Sequence, residues 1–199
     1  MTRLLLVRHG QSTWNAEGRW QGHSNPPLSS LGERQARAAA PAVAELGVTA
    51  LFSSDLLRAR QTAELVAPRG LTPVVVPPLR ERNVGEWEGL TRAEIEARYP
   101  GMLEARDSPP SFESDESLLA RVLPALEAII AELADEAIAL IATHGGVIRT
   151  VERHLGSPPP PVPNLGGRWL IAVRNTLELG DREVLVDAED AALTMPEAE

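Results

Sequence analysis

The sequence predicts an α/β fold, a three-layer α/β/α sandwich with a mainly parallel central sheet. Short apolar runs of the kind that form buried strands alternate along the chain with longer segments of helical composition. Parallel strands of this kind are covered by helices on both faces of the sheet. The chain has 199 residues, of which 43% are hydrophobic and 24% are charged, and these values suit one domain with a sizeable core.

The first half of the chain predicts three strands and two helices. Leu4–Val7 is an apolar run that ends at polar residues, as a buried strand does. The segment 10–28 lacks periodicity and predicts a loop with one helical turn. A helix follows from Leu31 to about Leu46, behind serines that can cap it. Next come a strand at 48–52, a helix that Asp55 would cap and that runs to about Ala67, and a strand at 73–76.

The second half begins with an irregular stretch and then returns to alternating elements. Residues 77–115 hold one short helix, Thr91 to Arg98, between connections rich in Pro and Ser. Pro124 lies inside the next helical segment and predicts a kink or a late start there. An edge strand near Trp169, or the acidic tail, could serve a dimer. The elements predicted here are a helix at 116–133, a strand at 137–142, a helix at 147–155 and strands at 169–173 and 184–186.

The composition excludes several classes of site and partner. The chain has no Cys, and its 19 basic residues are all Arg, so disulfides, thiolate metal sites, cysteine nucleophiles and catalytic lysines are ruled out. The formal net charge of −9 argues against nucleic acid as a partner. No apolar stretch approaches the ~20 residues of a membrane helix, and the apolar start of the chain is too short for a signal peptide. We therefore expect a cytoplasmic protein with no membrane partner.

Polar residues follow three of the predicted strands. They are Arg8-His9, Ser53-Ser54 and Thr143-His144-Gly145. Ligands of open α/β sheets bind outside the carboxyl ends of the strands, so these segments predict a site at one sheet edge. An arginine beside a histidine disfavours a charged imidazole unless an anion joins the two, and the arginine fork suits phosphate oxygens. The residues themselves therefore predict a phosphate site.

Five blocks of the chain resemble, in order, the signature of the histidine phosphatase superfamily, whose members are also called phosphoglycerate-mutase-like proteins. Together the blocks extend over residues 4–149. Five blocks in register make a specific match, whereas an Arg-His-Gly tripeptide alone would not. The blocks are Leu5–Asn15, Gln21-Gly22 with Leu28–Ala36, Ser53–Ala63, Leu79–Gly89 and Thr143–Arg149.

The resemblance implies a phosphoglycerate-mutase-like fold and a set of site residues. His9 would attack the phosphoryl group to give a phosphohistidine, with its other ring nitrogen held by a backbone carbonyl. Glu81 would protonate the leaving oxygen and then activate water. Neither metal nor cofactor is implied, because two arginines and a histidine supply the positive charge. The residues around the phosphoryl oxygens would be the catalytic Arg8, Arg58 and His144, with Asn15, Gln21, Gly22 and Gly145 as further binding residues.

Some assignments stay open at this point. By composition, Glu86 and Glu88 compete with Glu81 for the role of the acid. Asn25 stands where many members of the family carry Asp, which bears on a local turn or ion pair. The short chain and the segment Glu86–Leu90 resemble the phosphatase branch, so hydrolysis of small phosphate monoesters is expected. The alternatives are mutase-type phosphoryl transfer and a non-catalytic phosphate-sensing module.

The domain organisation follows from the same blocks. Residues 1–186 are expected to form a single histidine-phosphatase domain, and residues 187–199 an acidic tail. A cap segment at about 80–117 would cover the site, with Arg82 as a second anion contact and Trp87 and Phe112 as apolar contacts. The expected partner is a small-molecule phosphate ester, and a homodimer is compatible with the sequence.

Overall fold

The computed structural model describes residues 1–158, 160–174, 176–187 and 189. Short 3₁₀ turns at Pro77–Leu79 and Gly85–Trp87 interrupt the long connection in the middle of the chain. Apart from Asp187 and Glu189, the predicted acidic tail lies outside the described residues. The strands and helices are β1 (Arg3–Arg8), α1 (Thr13–Ala16), α2 (Ser30–Glu45), β2 (Ala50–Ser53), α3 (Leu57–Val66), β3 (Val74–Val75), α4 (Arg92–Arg98), α5 (Asp115–Glu132), β4 (Ile138–Thr143), α6 (Gly145–His154), β5 (Gly166–Val173) and β6 (Thr176–Val184).

The sheet has six strands in the order β3-β2-β4-β1-β5-β6. The four strands from β3 to β1 are parallel, β5 pairs antiparallel with β1, and β6 pairs antiparallel with β5. In the pairing of β1 with β4, Arg8 lies opposite Thr143. The next residue on each strand is a histidine, so this register brings His9 and His144 to the same edge of the sheet.

Helices cover both faces of the sheet. Side chains alternate along a strand, so Leu4 and Leu6 of β1 point to one face and Leu5 and Val7 to the other. Leu4 and Leu6 pack with buried residues of α5 and α6. Leu5 and Val7 pack with buried residues of α2 and α3. The predicted three-layer α/β/α sandwich is confirmed.

A third apolar cluster lies in the segment predicted to form the cap. Trp87 packs edge-on against Trp20 and against Phe112. Trp20 lies in the connection between α1 and α2, residues 17–29, which is called the first loop below. Trp20 also exchanges backbone contacts with this segment, because its amide donates to the carbonyl of Leu90. The first loop and residues 84–112 are therefore packed together around a small core of their own.

The start of α3 differs from the prediction. Asp55 does not cap this helix, because its carboxylate forms an ion pair with Arg80, whose Nε donates to both carboxylate oxygens at 2.7 and 2.9 Å. The amide of Leu57, at the start of α3, instead donates to Oδ1 of Asn25 at 2.6 Å. An asparagine oxygen from another loop thus does what a local aspartate was expected to do.

The last two strands also differ from the prediction. The strand expected at 184–186 is in fact β6, which spans Thr176–Val184. Its apolar positions, Leu177 and Leu179, alternate with exposed polar residues, so β6 never forms the continuous apolar run used to recognise buried strands. Trp169 lies in β5, and the edge strand beside it is β6.

The remaining helices match their expected positions within a few residues. Helix α5 begins at Asp115, well before Pro124, so the proline does not delay its start. Helix α6 begins at Gly145, two residues earlier than expected, with His144 as its N-cap residue. In the described part of the chain, no helix is long and apolar enough to cross a membrane.

Candidate active site

Two buried histidines form the centre of the candidate site. His9 follows β1 and His144 follows β4, and the side chains of both are almost completely inaccessible to solvent. Their ring centroids are 5.2 Å apart and the rings meet edge to face. The two histidines lie at one edge of the sheet, as predicted, and the strands that they follow are neighbours.

Hydrogen bonds hold the His9 ring in one tautomer. Nδ1 lies 2.6 Å from the carbonyl oxygen of Gly10, and a carbonyl can only accept, so Nδ1 carries the proton. Nε2 therefore keeps its lone pair, which accepts a hydrogen bond from Nε of Arg58 at 3.2 Å. The side-chain amide of Asn164 donates from Nδ2 to the His9 carbonyl at 2.8 Å and holds the backbone of His9 in place.

The surroundings of both histidines favour the neutral imidazole. Burial lowers the pKa of His9 well below 6.5, and the guanidiniums of Arg58 and Arg8 lower it further. Burial, followed by Arg58, has the same effect on the pKa of His144. A neutral imidazole with a free lone pair is a nucleophile, whereas an imidazolium is not.

Arg58 and Arg8 bring two buried positive charges to the histidines. Burial lowers the pKa of each guanidinium to about 10, and the nearby carboxylate of Glu81 offsets part of that effect. Both guanidiniums therefore remain charged at neutral pH. Nη1 of Arg8 donates to the carbonyl of Val162 at 2.7 Å, in the proline-rich connection after α6.

The first loop fixes the position of Arg58. Its Nη1 donates to the carbonyl of Ser24 at 2.8 Å and its Nη2 to that of Gly22 at 3.0 Å. Glu88 in turn holds this loop, because it accepts hydrogen bonds from the Ser24 hydroxyl and from the amides of His23 and Ser24. Gly22 has a φ of +49°, and a Cβ there would approach Glu88 Oε2 to 2.7 Å, so a side chain does not fit.

The side chain of Glu81, a residue of the cap segment, lies against the first turn of α6. Its Oε1 accepts from the amide of Arg82 at 2.8 Å, and its Oε2 accepts from the amide of Gly146 at 3.1 Å. The second contact lies in the first turn of the helix, where amide groups attract a carboxylate. A Cβ on Gly146 would come within 2.2 Å of Glu81 Oε1, so the close approach depends on this glycine.

The other two acidic candidates lie elsewhere. Glu88 is bound to the first loop as described above. Glu86 is exposed and bonds to the hydroxyl of Ser111. Of the three carboxylates, Glu81 is the one whose charge acts on both buried arginines.

The remaining predicted binding residues surround this centre. Ser12 connects two of them: its hydroxyl donates to Oε1 of Gln21 at 2.7 Å, and its amide donates to Oδ1 of Asn15 at 3.1 Å. Gly22 supplies a carbonyl to Arg58, and Gly145 is the first residue of α6, directly after His144. The structure thus brings together the segments that carry all of the predicted site residues.

Arg82 does not act as the expected second anion contact. Its guanidinium donates to the carbonyl of Glu113, to Oδ1 of Asp115 and to the hydroxyl of Thr150, and it lies over the ring of Phe112. These contacts join the cap segment to α5 and α6. Trp87 is buried in the small apolar cluster rather than exposed to a ligand.

Two further hydroxyl groups hold the site. Ser54, which the sequence places at the site edge directly after β2, has its hydroxyl 3.0 Å from Nε2 of His144. Sequence reasoning missed Thr62, whose hydroxyl accepts from the amide of Gly10 at 3.1 Å, because a threonine inside a helix gives no such signal. Among the described residues, no group of three or more histidine, aspartate or glutamate side chains is arranged to hold a metal ion.

Comparison with curated proteins gives relatives that are phosphatases or mutases by name. The glucosyl-3-phosphoglycerate phosphatase of Mycolicibacterium vanbaalenii is 34% identical, over 93% of this chain and 90% of its own length. The metal-independent phosphoserine phosphatase of Arabidopsis thaliana is 35% identical, over 94% of this chain and 81% of its own. The probable phosphoglycerate mutase GpmB of Escherichia fergusonii is 40% identical, over 73% of this chain and 70% of its own.

A solved structure has the same fold. A mycobacterial glucosyl-3-phosphoglycerate phosphatase in complex with VO3 matches with a TM-score of 0.81 and 32% identity, over 89% of this chain and 96% of that one. The comparisons confirm the predicted fold and the predicted enzyme class, a phosphoric monoester hydrolase. The model of the histidine phosphatase superfamily (branch 1) matches residues 4–167, and the chain belongs to this superfamily.

Proposed function

We propose that the protein is a metal-independent phosphatase that hydrolyses small phosphate monoesters through a phosphohistidine on His9. The observation that carries this proposal is the hydrogen bonding of the His9 ring. Nδ1 is fixed by the Gly10 carbonyl and Nε2 keeps its lone pair, next to two buried guanidiniums. A neutral nucleophile beside fixed positive charge suits attack on a phosphate dianion.

In the first step, Nε2 of His9 forms a bond to phosphorus as the bond from phosphorus to the ester oxygen breaks. Arg8, Arg58 and His144 contact the non-bridging oxygens and stabilise the charge that develops on them. Asn15, Gln21, Gly22 and Gly145 complete the binding site around the phosphoryl group. As Nε2 bonds to phosphorus, Nε of Arg58 donates to a phosphoryl oxygen in place of Nε2.

Glu81 acts as the acid and then as the base. In its protonated form it delivers a proton to the leaving oxygen, so the alcohol departs in neutral form. The resulting carboxylate then takes a proton from water, which attacks phosphorus and breaks the P–N bond. Inorganic phosphate leaves, and His9 returns to its neutral state. The electrostatic effect of the Glu81 carboxylate on both buried arginines supports this role.

The cap determines which substrates the site accepts. We propose that residues 1–186 act as one domain and that the segment at about 80–117 covers the site. This segment packs through its own apolar cluster against the first loop, which also holds Arg58. The substrate would be a small phosphate ester, as the names of the phosphatase relatives indicate for those proteins.

A mutase is the second candidate function. The observation in its favour is the relative named as a probable phosphoglycerate mutase, which is 40% identical to this chain over 152 residues. The same phosphohistidine serves both reactions. The two differ in whether the phosphoryl group passes to water or returns to a hydroxyl of the substrate.

The test is phosphate release from a panel of monoesters with EDTA present. The panel contains phosphoserine, glucosyl-3-phosphoglycerate and 3-phosphoglycerate, and the last reaction is also assayed for 2-phosphoglycerate. The control is His9→Ala, which removes the nucleophile and should abolish turnover while the fold persists. Phosphate release that EDTA leaves intact and His9→Ala abolishes is the expected result.

The other outcomes are equally informative. Formation of 2-phosphoglycerate without phosphate release would make the protein a mutase. Substantial turnover by His9→Ala would overturn the covalent scheme. Loss of activity in EDTA that Mg²⁺ restores would contradict a site whose positive charge comes from arginine. Phosphate binding without turnover of any panel member would favour the sensing module.

A further inference from the structure

Arg121 of α5 holds the backbone on which Glu81 is mounted. Its Nη1 donates to the carbonyls of Pro78 and Arg80, at 2.6 and 2.8 Å, and its Nη2 donates to the carbonyl of Glu81 at 2.9 Å. These carbonyls belong to residues 78–81, where the connection after β3 leads into the cap. One side chain from a different layer thus reaches three peptide groups around the proposed acid.

The other donors of Arg121 are used by Glu113. Nε donates to Oε1 of Glu113 at 2.7 Å and Nη2 to Oε2 at 2.8 Å, which is the bidentate arrangement that suits a guanidinium and a carboxylate. A guanidinium has five N–H groups, and here each has an acceptor. A side chain with every donor engaged in a fixed geometry is a rigid support rather than a mobile charge.

Glu113 extends this support to the other side of Glu81. Its Oε2 accepts from the amide of Asn83 at 3.0 Å, and its own amide donates to the Asn83 carbonyl at 2.8 Å. Although burial alone would raise the pKa of Glu113, the hydrogen bonds from Arg121 and from the Asn83 amide lower it, so the carboxylate is held in its charged form. The pair therefore fixes the chain on both sides of Glu81.

We propose that Arg121, paired with Glu113, is a positioning residue for the acid Glu81. The inference rests on the proposed function, because it concerns the group that protonates the leaving oxygen. Arg121 donates to the backbone carbonyl of Glu81. The carboxylate of Glu81 accepts instead from the amides of Arg82 and Gly146. The role of Arg121 is to keep that carboxylate where the ester oxygen will lie, since a displacement of about 1 Å can cost 100-fold in rate.

Removing Arg121 should damage acid catalysis selectively. An alkyl phosphate has a poor leaving group and needs the proton, whereas 4-nitrophenyl phosphate does not. We expect Arg121→Met to lower kcat/KM for an alkyl phosphate by about 10- to 100-fold and that for 4-nitrophenyl phosphate by less than about 3-fold, since general acid catalysis typically contributes about 10²- to 10⁴-fold. Arg121→Lys should recover only part of the loss, because an ammonium has three donors for five acceptors.

Two further variants separate positioning from general stability. Arg153 forms an ion pair with Asp115 and, among the described residues, makes no hydrogen bond to residues 78–81, so Arg153→Met is the matched control. Arg153→Met should leave unchanged the ratio of kcat/KM for the alkyl phosphate to kcat/KM for 4-nitrophenyl phosphate. Glu113→Gln should shift that ratio in the same direction as Arg121→Met, and it serves as the test if Arg121→Met does not fold.

A double-mutant comparison gives the decisive result. In a Glu81→Gln background the acid is already absent, so adding Arg121→Met should cause no further loss on the alkyl phosphate. Equal losses on both substrates, or a full additional loss in the double mutant, would overturn the positioning role. If Glu81→Gln itself shows no dependence on the leaving group, the assignment of the acid fails instead, and the two failures are distinguishable.

Discussion

Arg58 donates a hydrogen bond from Nε to Nε2 of His9 across 3.2 Å. The other two nitrogens of the guanidinium are held by the carbonyls of Gly22 and Ser24, so the first loop determines where this charge lies. The His9 nitrogen proposed to attack phosphorus therefore contacts the Arg58 guanidinium proposed to stabilise the transition state. Contacts within the protein therefore hold the two groups together.

Arg58→Met should lower kcat by about 10²- to 10³-fold, the typical cost of removing one preorganised donor to a developing negative charge. The measurement is steady-state kinetics on the best substrate of the panel. Arg60→Met is the matched control, because Arg60 lies on the same helix, is exposed and pairs only loosely with Glu64 at 3.8 Å. Comparable losses in both variants would contradict a specific role for Arg58.

The free energy of unfolding should fall as the pH is lowered from 6.5. The pKa values of His9 and His144 are well below 6.5 in the folded protein, whereas in the unfolded chain both residues titrate near that value. Below it the unfolded state binds protons that the folded state does not, which costs up to about 1.4 kcal/mol per pH unit for each histidine. This stabilisation is complete above the unfolded pKa and is lost on acidification.

Urea unfolding at pH 7.5, 6.5 and 5.5 measures this dependence. The range stays above the region near pH 4 where carboxylates titrate, so the ion pairs of Asp55 and Asp115 do not contribute to it. The slope should be smaller in His144→Asn, which removes one of the two buried imidazoles. An unfolding free energy that is the same at pH 5.5 and 7.5 would contradict the buried neutral state of these histidines.

Gly146→Ala should reduce activity without reducing stability. Alanine favours a helix over glycine by about 1 kcal/mol, so α6 should tolerate the change. The new Cβ would lie 2.2 Å from Glu81 Oε1, however, and the carboxylate must move away. We expect a loss on alkyl phosphates of the same kind as in Glu81→Gln and an unchanged or higher Tm. Full activity with an alkyl phosphate would show that the contact between Gly146 and Glu81 is dispensable.

Asn25→Ala should destabilise the protein by about 1 kcal/mol, the usual cost of losing an N-terminal cap. Asn25 Oδ1 accepts from the amide of Leu57 at the start of the helix that carries Arg58. Asn25→Asp should retain the stability, since a carboxylate also accepts this hydrogen bond and suits the positive end of a helix. Thermal and urea unfolding of the two variants measure the difference. Equal destabilisation by both substitutions would exclude the capping role.

The centre of the site could be predicted from the sequence because it depends on strand ends. The apolar run of β1 and that of β4 each stop at a histidine, and parallel neighbours bring their carboxyl ends to one edge. The individual roles of Glu81, Asn15 and Gln21 came from the resemblance to a family. Spacing alone left three glutamates as equal candidates for the acid.

The supports of the site could not be predicted, because they are contacts between distant segments. Arg121 acts on backbone carbonyls some 40 positions earlier in the chain, and carbonyls carry no sequence signal. The position of Arg82 in the cap segment suggests an anion contact, but the direction of its side chain is determined by Asp115 of α5 and Thr150 of α6. For the same reason Asn25, and not the neighbouring Asp55, caps α3.

The stereochemical course at phosphorus tests the central claim most directly. A phosphorothioate ester of the best substrate, made chiral at phosphorus with two oxygen isotopes, is hydrolysed in water enriched in the third isotope, and the configuration of the released thiophosphate is determined. Two successive in-line displacements, first by His9 and then by water, predict retention of configuration. Inversion would mean that water attacks the ester directly, and it would contradict a phosphohistidine intermediate.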